Sequence, residues 1–308
     1  MNSNPRIIFM GTPDFAVASL HALVENGFHI AVVVTAPDKQ AGRGLRLMES
    51  AVKQYAVKKN IPVLQPDKLK DPEFLEQLKF YQAEVQVVVA FRMLPEIVWA
   101  MPPLGTINLH GSLLPQYRGA APINRAIMNG ETKTGVTTFK LKQEIDTGNI
   151  LLLEEIPIGP NETAGELHDR MKEIGAGLVV RTIRGLLDGA LQEKPQNIAD
   201  PSTLKTAPKI FAADCEINWL DPVYKIYNQI RGLSPFPGAF TSFKNKTLKI
   251  FKARPEENNQ AFKAGEMETD GRTWLRFSAA DGYIYVEEIQ LEGKKRLYTD
   301  DFLRGIRF

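Results

Sequence analysis

The first half of the chain alternates short, β-branched apolar runs with segments whose apolar residues recur every three or four positions. The apolar runs are Arg6–Met10, His29–Thr35, Ile61–Leu64, Glu84–Ala90 and Thr106–His110. The segments with helical spacing lie between them, at Asp14–Asn26, Met48–Asn60 and Asp71–Tyr81. Strands that are apolar on both faces and alternate with helices favour an α/β fold with a mainly parallel sheet and right-handed crossovers.

The pattern changes towards the C-terminus. Two more strands, Val136–Leu141 and Ile150–Ile158, precede a long helix from about Thr163 to Ala190. Prolines then occur among Ser, Thr, Asn and Asp without periodicity, which is typical of a linker. Short strand-like runs separated by turns follow, and they indicate a smaller OB-like β-barrel. We therefore predict a catalytic domain at 1–189, a linker at 190–208 and a C-terminal domain at 209–308.

Composition excludes several classes of protein. Cys215 is the only cysteine, so disulfide frameworks and multi-cysteine metal sites are excluded. The four histidines lie far apart, and we predict no metal site. No apolar stretch approaches the ~20 residues that span a bilayer, and we expect a cytoplasmic protein without membrane contact. The first strand is not followed by a Gly-x-Gly-x-x-Gly turn, which disfavours a dinucleotide enzyme.

Asn108 and His110 are the first candidate catalytic residues. They are two positions apart in a predicted strand, so their side chains lie on the same face at its C-terminal end. Ligands of open α/β sheets gather at that end. An amide can donate to an oxygen that gains negative charge, and an imidazole can transfer a proton near neutral pH, as acyl transfer requires. Spacing alone leaves an alternative, in which Asn108 and His110 are core residues whose hydrogen bonds are satisfied within the protein.

Asp146, in the predicted turn Asp146-Thr147-Gly148, is the third candidate. A carboxylate beside a histidine raises the pKa of the imidazole and fixes its tautomer. The alternative is an Asx-turn aspartate that satisfies its own backbone. Ser112 is not in a Gly-x-Ser-x-Gly elbow, so a serine hydrolase is poorly supported.

Several ordered motifs together resemble the folate-dependent formyltransferases, and among them the branch that acts on initiator methionyl-tRNA. The resemblance extends from Arg6 to about Phe251, and the stretch Ala90–Pro95 departs from the family pattern by lacking a glycine and by containing Arg92. The motifs are Gly11–Phe15, Pro37–Gly44, Asn108–Pro115, Arg118–Pro122, Asp146–Gly148, Ile217–Trp219 and Ile230–Gly238.

The resemblance implies a formyltransferase fold, in which a Rossmann-like sheet precedes the C-terminal barrel. It also implies that 10-formyltetrahydrofolate is the formyl donor and that the methionine of initiator methionyl-tRNA is the acceptor. Asn108, His110 and Asp146 would be catalytic. Ser112, Leu113, Leu114 and Pro115 would line the folate pocket, and neither a covalent intermediate nor a metal would be needed.

Local positive charge supports an RNA partner. The segment Lys225–Arg254 contains seven basic residues and no Asp or Glu, although the net charge of the chain is only +2. The loop Ala36–Leu47 also contains basic residues, and in the family such a loop enters the acceptor stem, with Arg43 at the key basic position. The alternative is a solvated basic surface. The candidate tRNA-binding residues are Lys39, Arg43, Arg46, Lys244, Lys246 and Lys249.

Two other functions stay open at this point. A formyltransferase that acts on a small amine, such as a nucleotide-linked amino sugar, would keep the same catalytic residues and need neither basic segment. A non-catalytic tRNA-binding protein would keep the basic segments without turnover. We expect the protein to be a monomer.

Overall fold

The computed structural model of this protein describes residues 5–41, 46–198, 200–258 and 263–305. The helices there are α1 Asp14–Glu25, α2 Ala51–Lys58, α3 Pro72–Phe80, α4 Glu96–Trp99, α5 Pro122–Met128, α6 Ala164–Leu187, α7 Ala212–Cys215, α8 Val223–Leu233 and α9 Thr299–Arg304. The strands up to residue 207 are β1 Arg6–Gly11, β2 His29–Val34, β3 Lys39–Ala41, β4 Arg46–Met48, β5 Val63–Leu64, β6 Val85–Val89, β7 Thr106–His110, β8 Arg118–Gly119, β9 Lys133–Lys140, β10 Ile150–Pro157 and β11 Thr206–Ala207. The later strands are β12 Ala239–Phe243, β13 Lys246–Glu257, β14 Met267–Thr269, β15 Leu275–Ser278, β16 Gly282–Leu291 and β17 Leu297–Tyr298.

A seven-stranded sheet in the order β10-β9-β7-β6-β1-β2-β5 forms the centre of the first half. The pairs β1–β2, β1–β6, β2–β5 and β6–β7 are parallel, and β7–β9 is antiparallel. β1 and β6 are almost wholly buried because helices cover both faces of a parallel sheet. The mostly parallel, Rossmann-like sheet predicted from the sequence is therefore confirmed.

Helix packing explains the apolar spacing of the first half. Phe15, Leu20 and Leu23 are the buried face of α1, and Phe74 and Leu78 are buried on α3. Side-chain caps begin two of these helices: Ser50 accepts a hydrogen bond from the backbone N–H of Lys53, and Asp71 accepts one from that of Glu73. These apolar faces and caps account for where the helices begin and which side packs inward.

An antiparallel six-stranded sheet forms the C-terminal half-barrel, with the path β12-β13-β16-β15-β14 and β17 beside β16. The β12–β13 hairpin turns at Lys244 and Asn245, whose φ angles of 48° and 60° match a tight two-residue turn. A core that includes Ile226 and Ile230 of α8 packs with Leu248 and Ile284 of the sheet. The predicted small β-domain is thus present.

Two compact units share the chain. One comprises Met1–Arg118, Gly135–Ile156 and Asp169–Lys205; the other comprises Gly119–Thr134, Pro157–His168 and Thr206–Phe308. The boundaries 1–189, 190–208 and 209–308 stay a prediction. None of the helices in the described ranges combines the length and the apolar character that a bilayer crossing requires.

Candidate functional site

Asn108 and His110 lie at the C-terminal end of β7, between β6 and β9. In the strand register Asn108 is opposite Phe139 and His110 is opposite Thr137. Alternation along the strand places both side chains on one face. Asn108 is half-buried, whereas His110 is only 6% exposed. The predicted strand is thus present and includes both residues, whose catalytic roles stay predictions.

The ring of His110 is oriented through both of its nitrogens. Nε2 lies 2.8 Å from the backbone oxygen of Tyr117. A carbonyl oxygen only accepts, so Nε2 must bear a proton. Nδ1 lies 3.8 Å from Oδ2 of Asp146 and is the nitrogen that can gain or lose a proton. A proton on Nδ1 would create an imidazolium facing a carboxylate that is itself largely shielded from solvent.

Asp146 belongs to the turn that joins β9 to β10. Its φ angle is 54°, in the left-handed region that is uncommon for a residue other than glycine. Gly148 follows where a Cβ atom would lie 1.6 Å from the backbone oxygen of Lys140, so no larger residue fits. The structure therefore brings His110 and Asp146 together, although 36 positions separate them in the sequence.

Ser112 and the residues after it form a tight turn behind β7. The Ser112 hydroxyl donates to the backbone oxygen of Gln116 at 2.6 Å, and the Thr137 hydroxyl donates to the backbone oxygen of Ser112 at 2.6 Å. Ser112 and Leu114 are buried, whereas Leu113 and Pro115 are half-buried. Leu113 and Pro115 therefore offer a ligand more accessible surface than Ser112 and Leu114 do.

An open cavity of about 760 Å³ lies next to the loop that joins β6 to α4. Leu94, Pro95 and Trp99 supply apolar lining, and Gln143 comes from the loop that also contains Asp146. Arg92 borders the cavity and donates to the backbone oxygen of Asp67 at 2.8 Å and to that of Pro66. Apolar side chains with a few polar groups are typical of the lining of small-molecule sites.

The base of the β3–β4 hairpin is tied to α2 by Asp38. The carboxylate of Asp38 is paired with the Lys53 ammonium and accepts from Gln65 Nε2 at 2.7 Å. These two donors hold the pKa of the Asp38 carboxyl below its usual value, because hydrogen bonding favours the charged form. Lys39 is exposed on β3, Arg46 lies in β4, and Arg43 lies outside the described residues.

The basic residues of the C-terminal segment have different environments. Lys244 and Lys246 are exposed at the β12–β13 turn. Lys249 is half-buried and donates to the backbone oxygen of Pro237 at 2.8 Å. Arg231 is buried and donates to the backbone oxygens of Gly159 and Glu162; its burial lowers the pKa of the guanidinium from its usual value. Charge in the sequence therefore overstates the charge available to a phosphate.

Sequence reasoning missed Gln196. Its side-chain Nε2 donates to the backbone oxygens of both Asp146 and Gly148, each at 2.8 Å, and its Oε1 accepts from Arg118. Gln196 lies in the segment predicted to be a linker, where no periodicity indicates a contact. Its only sequence signal is a position between prolines and polar residues, which gives no information on distant partners.

Two family models match the chain. The model described as "Formyl transferase" matches residues 5–183, and that described as "Formyl transferase, C-terminal domain" matches residues 209–307. Two curated relatives, both named methionyl-tRNA formyltransferase, are similar over nearly the full length. The protein from Parabacteroides distasonis is 51% identical over 98% of this chain and 96% of its own length. That from Bacteroides fragilis is 49% identical over 97% of this chain and 94% of its own length.

Solved structures share the fold at lower identity. An N-formyltransferase from Helicobacter canadensis, in complex with folinic acid and dTDP-3-aminofucose, matches with a TM-score of 0.68 and 22% identity over 94% of this chain and 99% of that chain. HypX from Aquifex aeolicus, in complex with tetrahydrofolic acid, matches with a TM-score of 0.67 and 19% identity over 98% of this chain. This chain spans about half of HypX, 47% of its length. Family models over both halves and relatives near 50% identity show that this chain belongs to the formyl transferase family.

Proposed function

We propose that this protein transfers the formyl group of 10-formyltetrahydrofolate to the amino group of methionine on initiator methionyl-tRNA. The single observation that supports the chemistry best is the approach of His110 Nδ1 to the Asp146 carboxylate at 3.8 Å, beside Asn108 at the end of β7. The relatives near 50% identity, with their shared name, support the choice of acceptor.

The reaction needs a nucleophile, a site for negative charge and a path for one proton. The neutral amine of methionine attacks the formyl carbon, and its lone pair forms the new C–N bond while the carbonyl pair moves onto oxygen. The Asn108 amide donates one hydrogen bond to this oxyanion, and the Nδ1–H of protonated His110, which is not the N–H that the Tyr117 carbonyl holds, donates the other. The tetrahedral intermediate then collapses, the bond between the formyl carbon and N10 of the folate breaks, N10 takes up a proton, and the amine loses one.

His110 and Asp146 together handle this proton. Because the Tyr117 carbonyl holds a proton on Nε2, the second proton of an imidazolium resides on Nδ1. The Asp146 carboxylate stabilises that charge from 3.8 Å while the amine is deprotonated. The pair therefore stores the proton that the departing folate nitrogen needs.

The folate would extend from Leu113 and Pro115 into the cavity lined by Leu94 and Trp99. Folate-bound neighbours with the same fold support a folate co-substrate. The apolar lining suits a pterin ring, and the basic side chain of Lys70 at the cavity suits a carboxylate tail, whereas Arg92 already donates to the backbone oxygens of Pro66 and Asp67.

Exposed lysines at the β12–β13 turn would contact tRNA phosphates. We expect the double variant Lys244→Glu, Lys246→Glu to raise KM for tRNA about tenfold at low salt, since two phosphate contacts are lost and two repulsions are added. The slope of log KM against log salt should fall by about two in the same variant. Initial rates at several salt concentrations would measure both effects.

Lys58→Glu supplies the matched control, because Lys58 is also exposed but lies on α2. Its salt dependence should equal that of the wild type. A wild-type salt slope in the double variant would contradict the assignment of the turn to tRNA. Lys249→Met should change stability more than salt dependence, because its ammonium already binds the Pro237 carbonyl.

The decisive assay compares acceptors with labelled 10-formyltetrahydrofolate as the donor. We expect turnover with initiator methionyl-tRNA at least about 100-fold faster than with elongator methionyl-tRNA or nucleotide-linked amino sugars, since the loop Ala36–Leu47 would read the acceptor stem of the initiator. Preference for an amino sugar, or tRNA binding without turnover, would overturn the proposal. Neither alternative function is favoured by the relatives. A monomer, a cytoplasmic location and independence of metal stay predictions.

A further inference from the structure

We propose that Gln196, held by Arg118, is a positioning residue that sets the place of Asp146 beside His110; this inference rests on the proposed function. The two residues come from segments that are far from Asp146 in the sequence. Gln196 binds Arg118 on one side and the backbone oxygens of Asp146 and Gly148 on the other. Their effect on the reaction would pass through the turn that contains Asp146.

The amide of Gln196 uses its whole hydrogen-bonding capacity. Nε2 donates to the backbone oxygens of Asp146 and Gly148, both at 2.8 Å. Oε1 accepts from Arg118 Nε at 3.1 Å and from Arg118 Nη2 at 2.6 Å. An amide has two N–H donors and one oxygen with two lone pairs, so each site is occupied. Rotating the amide by 180° would place its NH₂ against a guanidinium and its oxygen against two carbonyl oxygens. Both contacts are repulsive, so the observed orientation of the amide is fixed.

The Asp146 turn needs support from outside itself. Asp146 has a φ angle of 54°, which costs free energy in any residue with a Cβ atom. Two carbonyls of the turn point towards Gln196 and share one donor group. A glutamine that bridges both carbonyls links the residues on either side of Thr147, so that the turn cannot open without breaking both bonds.

The segment around Gln196 is itself anchored. Lys194 exchanges two backbone hydrogen bonds with Ile150, the first residue of β10, at 2.7 and 2.9 Å. Further along, the backbone N–H of Tyr117 donates to the oxygen of Lys205 at 2.6 Å, and that of Lys205 donates to the side chain of Gln116 at 2.8 Å. Lys194 and Lys205, one on each side of Gln196, therefore anchor this segment to β10 and to the 116–118 stretch, whose Tyr117 carbonyl orients His110.

One connected set of contacts thus fixes both members of the catalytic pair. Tyr117 meets His110 through its carbonyl, and the next residue, Arg118, holds Gln196, which holds the Asp146 turn. A displacement of about 1 Å in a reacting or supporting group can lower a rate about 100-fold. The 3.8 Å separation between Nδ1 and the carboxylate is sensitive to such a shift because the attraction between the two charges falls with distance.

Gln196→Glu is the most informative variant. Its carboxylate can still pair with Arg118, but it faces two carbonyl oxygens without the donors that held them. We expect kcat to fall about 10- to 100-fold while KM for tRNA and for the folate stays within about twofold. Gln196→Met, which has the same length and no polar group, should lower kcat to a similar extent. Arg118→Lys should lower kcat less, because a lysine can still donate to Oε1 of Gln196.

A double-variant cycle with Asp146→Asn separates positioning from a general structural effect. If Gln196 acts through Asp146, then Gln196→Glu should lower kcat by no more than about twofold in the Asp146→Asn background. If the two substitutions instead lower kcat by independent factors that multiply in the double variant, Gln196 does not act through Asp146 and the inference is overturned. Asn197→Ala, an exposed neighbour in the same segment, is the matched control and should retain wild-type kinetics.

Hydrogen exchange of the backbone amides in residues 142–149 gives a readout that needs no activity. Exchange should accelerate about tenfold or more in Gln196→Glu and stay unchanged in Asn197→Ala. Unchanged exchange in Gln196→Glu and in Gln196→Met would overturn the inference even in an active enzyme. If the wild type fails to formylate tRNA but exchange still accelerates in Gln196→Glu, the positioning role stands and the proposed function falls.

Discussion

Replacement of His110 by alanine is expected to lower kcat for formyl transfer about 1000-fold, with tRNA affinity unchanged. The variant removes a donor to the oxyanion and the site that stores the transferred proton, and each effect alone is commonly worth about 100-fold or more. The ring is buried and touches the Tyr117 carbonyl and the Asp146 carboxylate, so its loss affects the pair and not the exposed lysines. Single-turnover formylation and filter binding of tRNA would measure the two quantities separately.

His29→Ala serves as the control, since His29 is exposed at the start of β2 and plays no part in the proposed chemistry. Its kcat should equal that of the wild type. Activity within tenfold of wild type in His110→Ala would contradict the catalytic role. A matching loss of tRNA affinity in that variant would instead place His110 in the RNA-binding surface.

Gly148→Ala should damage both stability and turnover. A Cβ atom there would lie 1.6 Å from the Lys140 oxygen and 3.0 Å from Cδ2 of Phe139, which is fully buried. Because backbone and a core ring cannot yield, the Asp146 turn must move. We expect unfolding free energy to fall by about 1–3 kcal/mol and kcat to fall about 100-fold. Urea unfolding and steady-state kinetics would test both values.

Gly177→Ala is the matched control for this substitution. Gly177 is exposed on α6, and apart from its chain neighbours and the backbone of its own helix no heavy atom of the described residues lies within 4 Å of the position that a Cβ atom would take there. An alanine in a helix is more favourable than a glycine, so the control should be about 0.5–1 kcal/mol more stable than wild type with unchanged kcat. A Gly148→Ala variant that is as stable and as active as wild type would show that the turn can relax without moving Asp146.

The parallel sheet could be predicted because its signal is local. The apolar runs around Ile8, Val33 and Val87 are buried on both faces, and the helical spacing between them places the crossovers. The candidate pair Asn108 and His110 followed from the two-residue period of a strand. Asp146 was identified by resemblance together with its turn, since its partner is distant in the chain.

Other features depended on contacts between segments that are far apart in the sequence. Arg231 is one of a basic run in the sequence, but in the structure it is buried and binds backbone oxygens of Gly159 and Glu162. Lys249 likewise binds the Pro237 carbonyl, whereas Lys244 and Lys246 remain exposed. The sequence reports the sign of a charge but not the groups that surround it.

Sequence alone predicted the main strands and helices of the parallel sheet, the face shared by Asn108 and His110, and the family that the motifs resemble. It did not predict the short elements β3, β4, β8, α4 and α5. Only the tertiary structure decided that Gln196, in an aperiodic stretch, supports the Asp146 turn and that Tyr117 offers its carbonyl to His110. The physical reason is that periodicity arises from contacts a few residues apart. A hydrogen bond between residues 50 positions apart leaves no such repeat, because it depends on the path of the whole chain.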